Sequence, residues 1–98
     1  MEIKNIRNGN ELMVVISGSI DTNTAPQAQQ QIEAELEGVD KLILDLKDVY
    51  YVSSSGLRLF LILYKKMITH GTMKLINVDD FIKEILDMTS FSSILDIE

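Results

Sequence analysis

The sequence contains no cysteine and a single histidine, His70. Without cysteine the chain can form no disulfide, thiolate nucleophile or cysteine-ligated zinc site. It also lacks a His-rich metal pattern, a Gly-x-Ser-x-Gly motif and a glycine loop that would cradle phosphate. We therefore expect no catalytic residues, no metal site and no cofactor.

Long apolar runs are absent as well. No stretch reaches the roughly 18 consecutive apolar residues that a membrane span needs. The N-terminus, Met-Glu-Ile-Lys, lacks the basic-then-apolar order of a signal peptide. These two absences predict a cytoplasmic protein that does not act at a membrane.

Positive charge is scarce and scattered. The chain has 9 Lys and Arg residues against 15 Asp and Glu, a formal net charge of −6. Only Lys65 and Lys66 are adjacent basic residues, so no basic face is available for nucleic acid or anionic lipid. The expected partners are other proteins.

What is present is an ordinary globular composition. Hydrophobic residues make up 46% of the 98 residues and charged residues 24%, which predicts an ordered chain with one hydrophobic core. We expect a single domain over residues 1–98.

The first half of the chain predicts a hairpin followed by a helix. Ile3–Ile6 and Leu12–Ser17 are typical of strands, and Asn8-Gly9-Asn10 between them accepts positive φ in a tight turn. Thr24-Ala25-Pro26 predicts a helix start, with a threonine cap and a proline in the first turn. The helix would stop at Gly38 and bury positions spaced by four residues: Ala28, Ile32 and Leu36.

The second half alternates strands and helices. Lys41–Leu46 is nearly continuous in branched apolar residues, which predicts a central strand covered by helices on both faces. Ser55–Thr69 is helical in pattern and ends at Gly71, and its apolar stripe is Leu57, Phe60, Leu61, Tyr64 and Ile68, widened by Leu59, Ile62 and Leu63.

The remaining segment predicts one more strand and one more helix. Met73–Val78 is expected to pair in parallel with Lys41–Leu46 through a right-handed crossover. Asp79 would cap a helix that carries Phe81, Ile82, Ile85, Leu86 and Met88. Phe91–Ile97 fits a short helix, an edge strand or a docked tail. The fold class is α/β, with a mixed sheet of four or five strands and helices packed on it.

One hydroxyl-rich turn stands between the central strand and the following helix: Tyr50-Tyr51-Val52-Ser53-Ser54-Ser55-Gly56-Leu57. Turns at the C-terminal ends of strands, next to helix N-termini, often bind ligands or carry modifications. A phosphate there would lie near unpaired backbone N–H groups and the positive end of the helix dipole. From the residues alone, a serine that only caps the helix is the commoner alternative.

The same turn, with Leu44-Asp45-Leu46 before it, resembles the signature of the STAS domain, in particular of bacterial anti-sigma-factor antagonists. Gly18-Ser19-Ile20-Asp21 followed by Thr24-Ala25 is similar to the family's loop before its first helix. The resemblance covers essentially the whole chain and implies the family's order of elements, a STAS-type fold.

The resemblance also implies a phosphorylation site. The family's phosphorylated serine falls on Ser54, followed by Ser55 at a small-hydroxyl position and Gly56 at the tight start of the helix. Many antagonists have aspartate just before that serine, whereas this chain has Ser53, which becomes a second, less favoured target. Asp21 matches an acidic residue near the phosphorylated serine, although a turn aspartate bonded to its own backbone is equally consistent with the sequence. The implied partner-binding residues are Asp21, Thr22, Ser53, Ser54, Ser55, Gly56 and Arg58.

The function implied is partner switching. The chain would bind an anti-sigma factor that is also a serine kinase, release sigma factor, and be switched off by phosphorylation of Ser54. A serine phosphatase would reset it. Phosphate adds about −1.5 to −2 charges at one surface point, enough to weaken docking.

Three other classes of function compete with this one. A Ser–His enzyme is excluded because about sixteen helical residues, or ~24 Å, separate Ser54 from His70. A STAS-like scaffold for a non-sigma target, in a transport complex or a stressosome-type assembly, stays open, since function depends on the docking surface and not on the fold. Binding of a nucleotide or small ligand at the same turn has no supporting glycine pattern.

Overall fold

A computed structural model describes every residue from Met1 to Glu98. The element order is β1 (Glu2–Asn8), β2 (Glu11–Ile20), α1 (Ala25–Glu33), β3 (Lys41–Val52), α2 (Ser54–Met67), β4 (Thr72–Ile76), α3 (Asp80–Met88) and β5 (Asp96–Ile97). A short 3-10 helix, Phe91–Ser93, precedes β5. The predicted α/β class is confirmed.

The five strands form one mixed sheet in the order β1-β2-β3-β4-β5. β1 and β2 pair antiparallel, as the hairpin signal predicted, and Gly9 in the turn has φ +64°. All the other neighbouring strands pair in parallel. Each parallel step advances the sheet in the same direction, so right-handed crossovers place the three helices on one face.

The core follows this layering. The buried strand positions alternate, and they join buried residues of all three helices in one apolar cluster. No polar or charged side chain is buried. The prediction that β3 is covered on both faces is wrong: Ile43 and Asp45, between buried Leu42, Leu44 and Leu46, are only half-buried on the face without helices. Because branched apolar residues occupy both faces of β3 near its start, the sequence does not reveal the alternation of buried and half-buried positions.

The buried face of α2 is rotated about the helix axis relative to the apolar stripe predicted from the sequence. Leu57 and Phe60 are buried as expected, but Leu61 is half-buried and Ile68 is 57% exposed. The buried side is Gly56, Leu57, Leu59, Phe60, Leu63 and Met67. Gly56 lies on this face, where α2 closely approaches Val52 and Ile20.

Several element boundaries also differ from the sequence expectation. α1 ends at Glu33, before Leu36, and β3 continues to Val52. Thr24 makes no side-chain cap to α1, because its hydroxyl instead donates to Ser19 O (2.9 Å) and accepts from Asp21 N (2.9 Å).

Asp79 does cap α3, accepting from Phe81 N at 2.8 Å. In that helix Ile82 and Leu86 are buried, whereas Phe81 and Met88, which the sequence also placed in it, are 57% and 79% exposed. The C-terminal segment contains both of the regular structures considered for it, a short helix and an edge strand paired with β4.

Candidate functional site

Two loops meet at the C-terminal edge of the parallel strands β2 and β3. Ile20 and Val52, the last residues of these strands, are paired in register. Ser53 N donates to Ile20 O at 2.9 Å, which joins the β3–α2 loop to the β2–α1 loop. The structure therefore brings together the two segments that carried the sequence motifs.

The three consecutive serines have three different environments. Ser53 is the N-cap of α2: its Oγ accepts from Ser55 N (3.2 Å) and Gly56 N (3.4 Å). Ser55 is half-buried, and its Oγ lies 3.2 Å from Thr22 Oγ1. Ser54, the first residue of α2, is exposed and its hydroxyl makes no hydrogen bond within the chain. Ser54 is thus the serine whose hydroxyl is free to react.

Gly56 fixes the distance between α2 and the strand ends. A methyl group on its Cα would lie 2.7 Å from Val52 Cγ1 and 2.9 Å from Ile20 O, closer than real side chains come. Only hydrogen fits there. The close approach holds the first turn of α2, and with it Ser54, directly over the ends of β2 and β3.

Asp21 is bonded within its own loop. Oδ1 accepts from Asn23 N (2.9 Å), Thr24 N (3.0 Å) and Thr24 Oγ1 (3.2 Å), and Oδ2 accepts from Ser19 Oγ (2.9 Å). The hydrogen bond from Ser19, followed by those from Thr24 and Asn23, lowers the pKa of Asp21 because each donor stabilises the carboxylate. The turn-aspartate interpretation therefore describes its contacts, and its carboxylate shapes the loop that presents Thr22.

A shallow groove of about 240 Å³ runs between α1 and α2 beside the serines. It is lined by Thr22, Ala25, Pro26, Gln29, Ser55, Arg58, Leu59 and Ile62. Arg58 is exposed, forms no ion pair, and follows Ser54 by one helical turn. The groove combines apolar walls with a hydroxyl pair and one cation.

Sequence reasoning missed part of this groove. Gln29 was not among the positions predicted to be buried in its helix, yet it is half-buried and lines the groove. The Thr22–Ser55 contact joins residues 33 apart in sequence. One signal could have indicated it: both residues follow strands that were expected to lie in one sheet, and parallel neighbours end at the same edge.

Histidine and acidic groups do not converge on this edge. His70 lies beyond the other end of α2, where Nε2 is 3.1 Å from Val39 O and Nδ1 is 3.1 Å from Thr69 Oγ1. No group of three or more His, Asp or Glu residues is arranged to hold a metal ion. None of the helices has the length and apolarity that a membrane crossing requires.

Proteins of known name with similar sequences are antagonists of anti-sigma factors. The anti-sigma-B factor antagonist of Bacillus subtilis is 33% identical over 92 residues, which cover 93% of this chain and 84% of that protein. The anti-sigma-B factor antagonist of Listeria monocytogenes is 29% identical over 101 residues, covering 100% of this chain and 87% of that protein.

Solved structures share the fold at low sequence identity. An anti-sigma factor antagonist from Mycobacterium paratuberculosis superposes with a TM-score of 0.89 at 22% identity, covering 98% of this chain and 83% of that chain. The Bacillus cell fate determinant SpoIIAA in its phosphorylated form gives a TM-score of 0.77 at 14% identity, covering 99% of this chain and 91% of that chain. The sequence also matches the STAS domain over residues 2–98, and the chain therefore belongs to the STAS domain family.

Proposed function

We propose that this chain is a bacterial, cytoplasmic anti-sigma factor antagonist whose binding is switched off by phosphorylation of Ser54. It binds an anti-sigma factor with serine-kinase activity, which frees sigma factor, and a serine phosphatase restores the unmodified form. The name of the Bacillus subtilis relative, at 33% identity, supports the role. The free, exposed hydroxyl of Ser54 at the start of α2 is the observation that carries the choice of switch.

Accessibility favours Ser54 over its neighbours as the phosphoacceptor. A kinase needs a hydroxyl that can enter its active site, and both neighbouring hydroxyls are already hydrogen-bonded, Ser53 to the helix N-terminus and Ser55 to Thr22. Modifying Ser53 would remove the cap of α2, which stabilises a helix by about 0.5–2 kcal/mol. Ser54 can be modified without that loss.

The first turn of α2 can accommodate phosphate without refolding. The helix dipole places partial positive charge at this end, and α2 has no acidic residue in its first turn to repel an anion. Arg58 follows by four residues, a spacing at which helical side chains interact. The effect of phosphate therefore falls on the partner, since a surface that was neutral at Ser54 gains about −1.5 to −2 charges.

The docking surface we propose is the groove with the two loops that border it. Thr22, Ser55 and Arg58 provide polar contacts next to apolar Leu59 and Ile62. Asp21 acts by fixing the loop geometry, and Gly56 by seating α2 on the strand ends. Function then depends on binding and release, with no chemistry performed by the chain itself.

The site assignment is tested by phosphorylation with the cognate anti-sigma kinase and ATP. We expect one phosphate per chain at Ser54, and loss of uptake in Ser54→Ala. Ser53→Ala and Ser55→Ala, which remove a neighbouring hydroxyl each, are the matched controls and should still be modified. Uptake that persists in Ser54→Ala but disappears in Ser53→Ala would move the switch to Ser53.

The role is tested by titrating the anti-sigma partner calorimetrically with both forms of the chain. Phosphorylation should weaken binding by about 5- to 150-fold, the usual range of coupling between a modification and a binding site. Ser54→Ala should bind like the unmodified chain. Equal affinity of both forms would reject the switch, and no binding of either form would reject the anti-sigma role.

A further inference from the structure

We propose that Arg58 is shared between two partners: it supplies the cation of the groove while Ser54 is unmodified, and it binds the phosphate once Ser54 is phosphorylated. Phosphorylation then acts twice, because it adds an anion at Ser54 and also takes the positive charge away from the groove. This inference rests on the proposed function, since it takes Ser54 as the phosphoacceptor and the groove as the docking surface. It adds the residue that connects the two.

Arg58 is the only charged residue among those that line the groove. The positive charge that the groove offers to a partner therefore comes from this one guanidinium. Its planar fork of N–H donors suits a carboxylate or carbonyl group of the partner. Any event that occupies or neutralises Arg58 changes what the groove can bind.

Arg58 also lies one helical turn after Ser54 on α2. Residues with this spacing have Cβ atoms about 5–6 Å apart, and helical side chains lean toward the N-terminus, so the long side chain of Arg58 extends over Ser54. An anion one turn before a cation is the more favourable order for such a pair. Ser54 does not itself line the groove, so Arg58 is the link between the modified residue and the docking surface.

No acidic residue of the chain already occupies Arg58. Arg58 is exposed and forms no ion pair, and α2 contains no acidic residue. Asp21 is the only acidic residue in the two loops beside the groove, and both of its carboxylate oxygens accept hydrogen bonds within its own loop. A phosphate on Ser54 is therefore the only anion that α2 presents to Arg58.

One guanidinium cannot serve both partners fully. Phosphate brings about −1.5 to −2 charges, which more than balance the single positive charge of Arg58. An acceptor group of the partner that enters the groove then meets no net attraction. Part of the affinity lost on phosphorylation thus depends on Arg58, and the remainder comes from the phosphate itself.

The pair is tested first on the chain alone, with isotope-labelled arginine and with phosphoserine incorporated in place of Ser54 during translation. The chain contains one other arginine, Arg7, which is an internal reference. Its side chain donates to three backbone carbonyl groups, and it pairs with Leu12 near the start of β2, at the edge of the sheet opposite Ser54. The Nε–Hε NMR signal of Arg58 should move on phosphorylation, and that of Arg7 should not.

A phosphorus NMR titration of the phosphoserine gives the second measurement. Pairing with Arg58 favours the doubly charged phosphate, so the titration midpoint should lie about 0.2–0.4 pH lower in the chain with Arg58 than in Arg58→Gln. Arg58→Lys keeps the charge but not the fork and should give an intermediate value. Equal midpoints with Arg58 and with Arg58→Gln overturn the proposal.

Lys65→Gln is the matched control for loss of one positive charge. Lys65 is exposed on the same helix and forms no ion pair. It lies about 16 Å along the helix from Ser54, beyond the screening length of about 10 Å at 0.1 M salt, so the midpoint should not change. A shift as large as that of Arg58→Gln would attribute the effect to net charge and reject the pair.

The shared role is then tested with the anti-sigma partner, by comparing the effect of phosphorylation on affinity with Arg58 and with Arg58→Gln. Competition for Arg58 predicts that phosphorylation weakens binding about 2- to 5-fold less in the variant. An equal or larger effect in the variant means that Arg58 does not leave the groove, and it overturns the proposal.

The two measurements separate this inference from the proposed function. Weaker binding on phosphorylation without a shifted midpoint leaves the proposed function intact and rejects the role of Arg58. A shifted midpoint without any change in affinity rejects the proposed switch, and the sharing of Arg58 with it.

Discussion

Replacing each of the three serines by alanine should separate the cap of α2 from the phosphoacceptor. Ser53→Ala removes the oxygen that accepts from Ser55 N and Gly56 N. Loss of a serine N-cap costs about 0.5–2 kcal/mol, and these two bonds are long, so we expect the lower half of that range. In a chain of 98 residues, about 1 kcal/mol corresponds to a fall of about 4–8 °C in Tm.

Ser54→Ala should behave differently, because its hydroxyl bonds to nothing within the chain. Alanine also has the higher helix propensity, by up to about 0.5 kcal/mol, so stability should be unchanged or slightly raised. Ser55→Ala loses the contact with Thr22, worth about 0.5–1.5 kcal/mol, and regains part of it through propensity.

The series is measured by urea unfolding followed by far-UV circular dichroism, because the chain has no tryptophan to report by fluorescence. Midpoints are compared only between variants with equal m-values, which indicate equal surface exposed on unfolding. If Ser54→Ala cost as much as Ser53→Ala, the assignment of the cap, and the claim that the Ser54 hydroxyl is free, would both be refuted.

Three further predictions test the packing at Gly56, the burial pattern of α2 and the ionisation of Asp21. Gly56→Ala should destabilise the fold by about 1–3 kcal/mol through overpacking against Val52 and Ile20, and an unchanged urea midpoint would show that α2 is not seated as described. Leu59→Ala should lower the free energy of unfolding by about 2–5 kcal/mol, since this side chain is only 2% exposed. Leu61→Ala should lower it by clearly less, because Leu61 is half-buried. Equal losses of stability in the two variants would reject the burial pattern of α2. Because the pKa of Asp21 is lowered in the folded state, its ionised carboxylate stabilises the fold above the unfolded pKa of about 3.9, and this stabilisation is lost as pH falls through the folded pKa. Asp21→Asn should therefore unfold more easily at neutral pH and lose less stability on acidification than the unsubstituted chain. Parallel profiles of stability against pH for the two proteins would contradict this.

The elements with strong local signals were predictable from the sequence. The Asn-Gly turn, the Asp79 cap and the order of strands and helices depend on neighbouring residues, and each is present. The place of the candidate site in the fold was predictable for the same reason, since Ser54 and Asp21 lie in motifs that follow strand ends.

What depended on tertiary packing was not predictable. The sequence pattern of α2 allows several apolar stripes, and the close approach at Gly56 selects one. The family resemblance placed the phosphoacceptor on Ser54, but the physical difference between the three serines depends on hydrogen-bond partners, one of which, Thr22, comes from a different loop. The open face of the sheet was missed because Ile43 is as apolar as the buried residues beside it.

The strand order has a consequence for how the chain reaches its native state. Every strand pairs only with its neighbours in sequence, so no segment must wait for a distant one before it can find its place. The β1–β2 hairpin can form first during synthesis, and each later strand then adds to the growing edge after one crossover. Connections between sequence neighbours close shorter loops than those of sheets with interleaved strands, which lowers the entropy cost of closure and favours faster folding. The two-residue β5 closes the sheet last and, with so little pairing, should be the first strand to detach in the native ensemble.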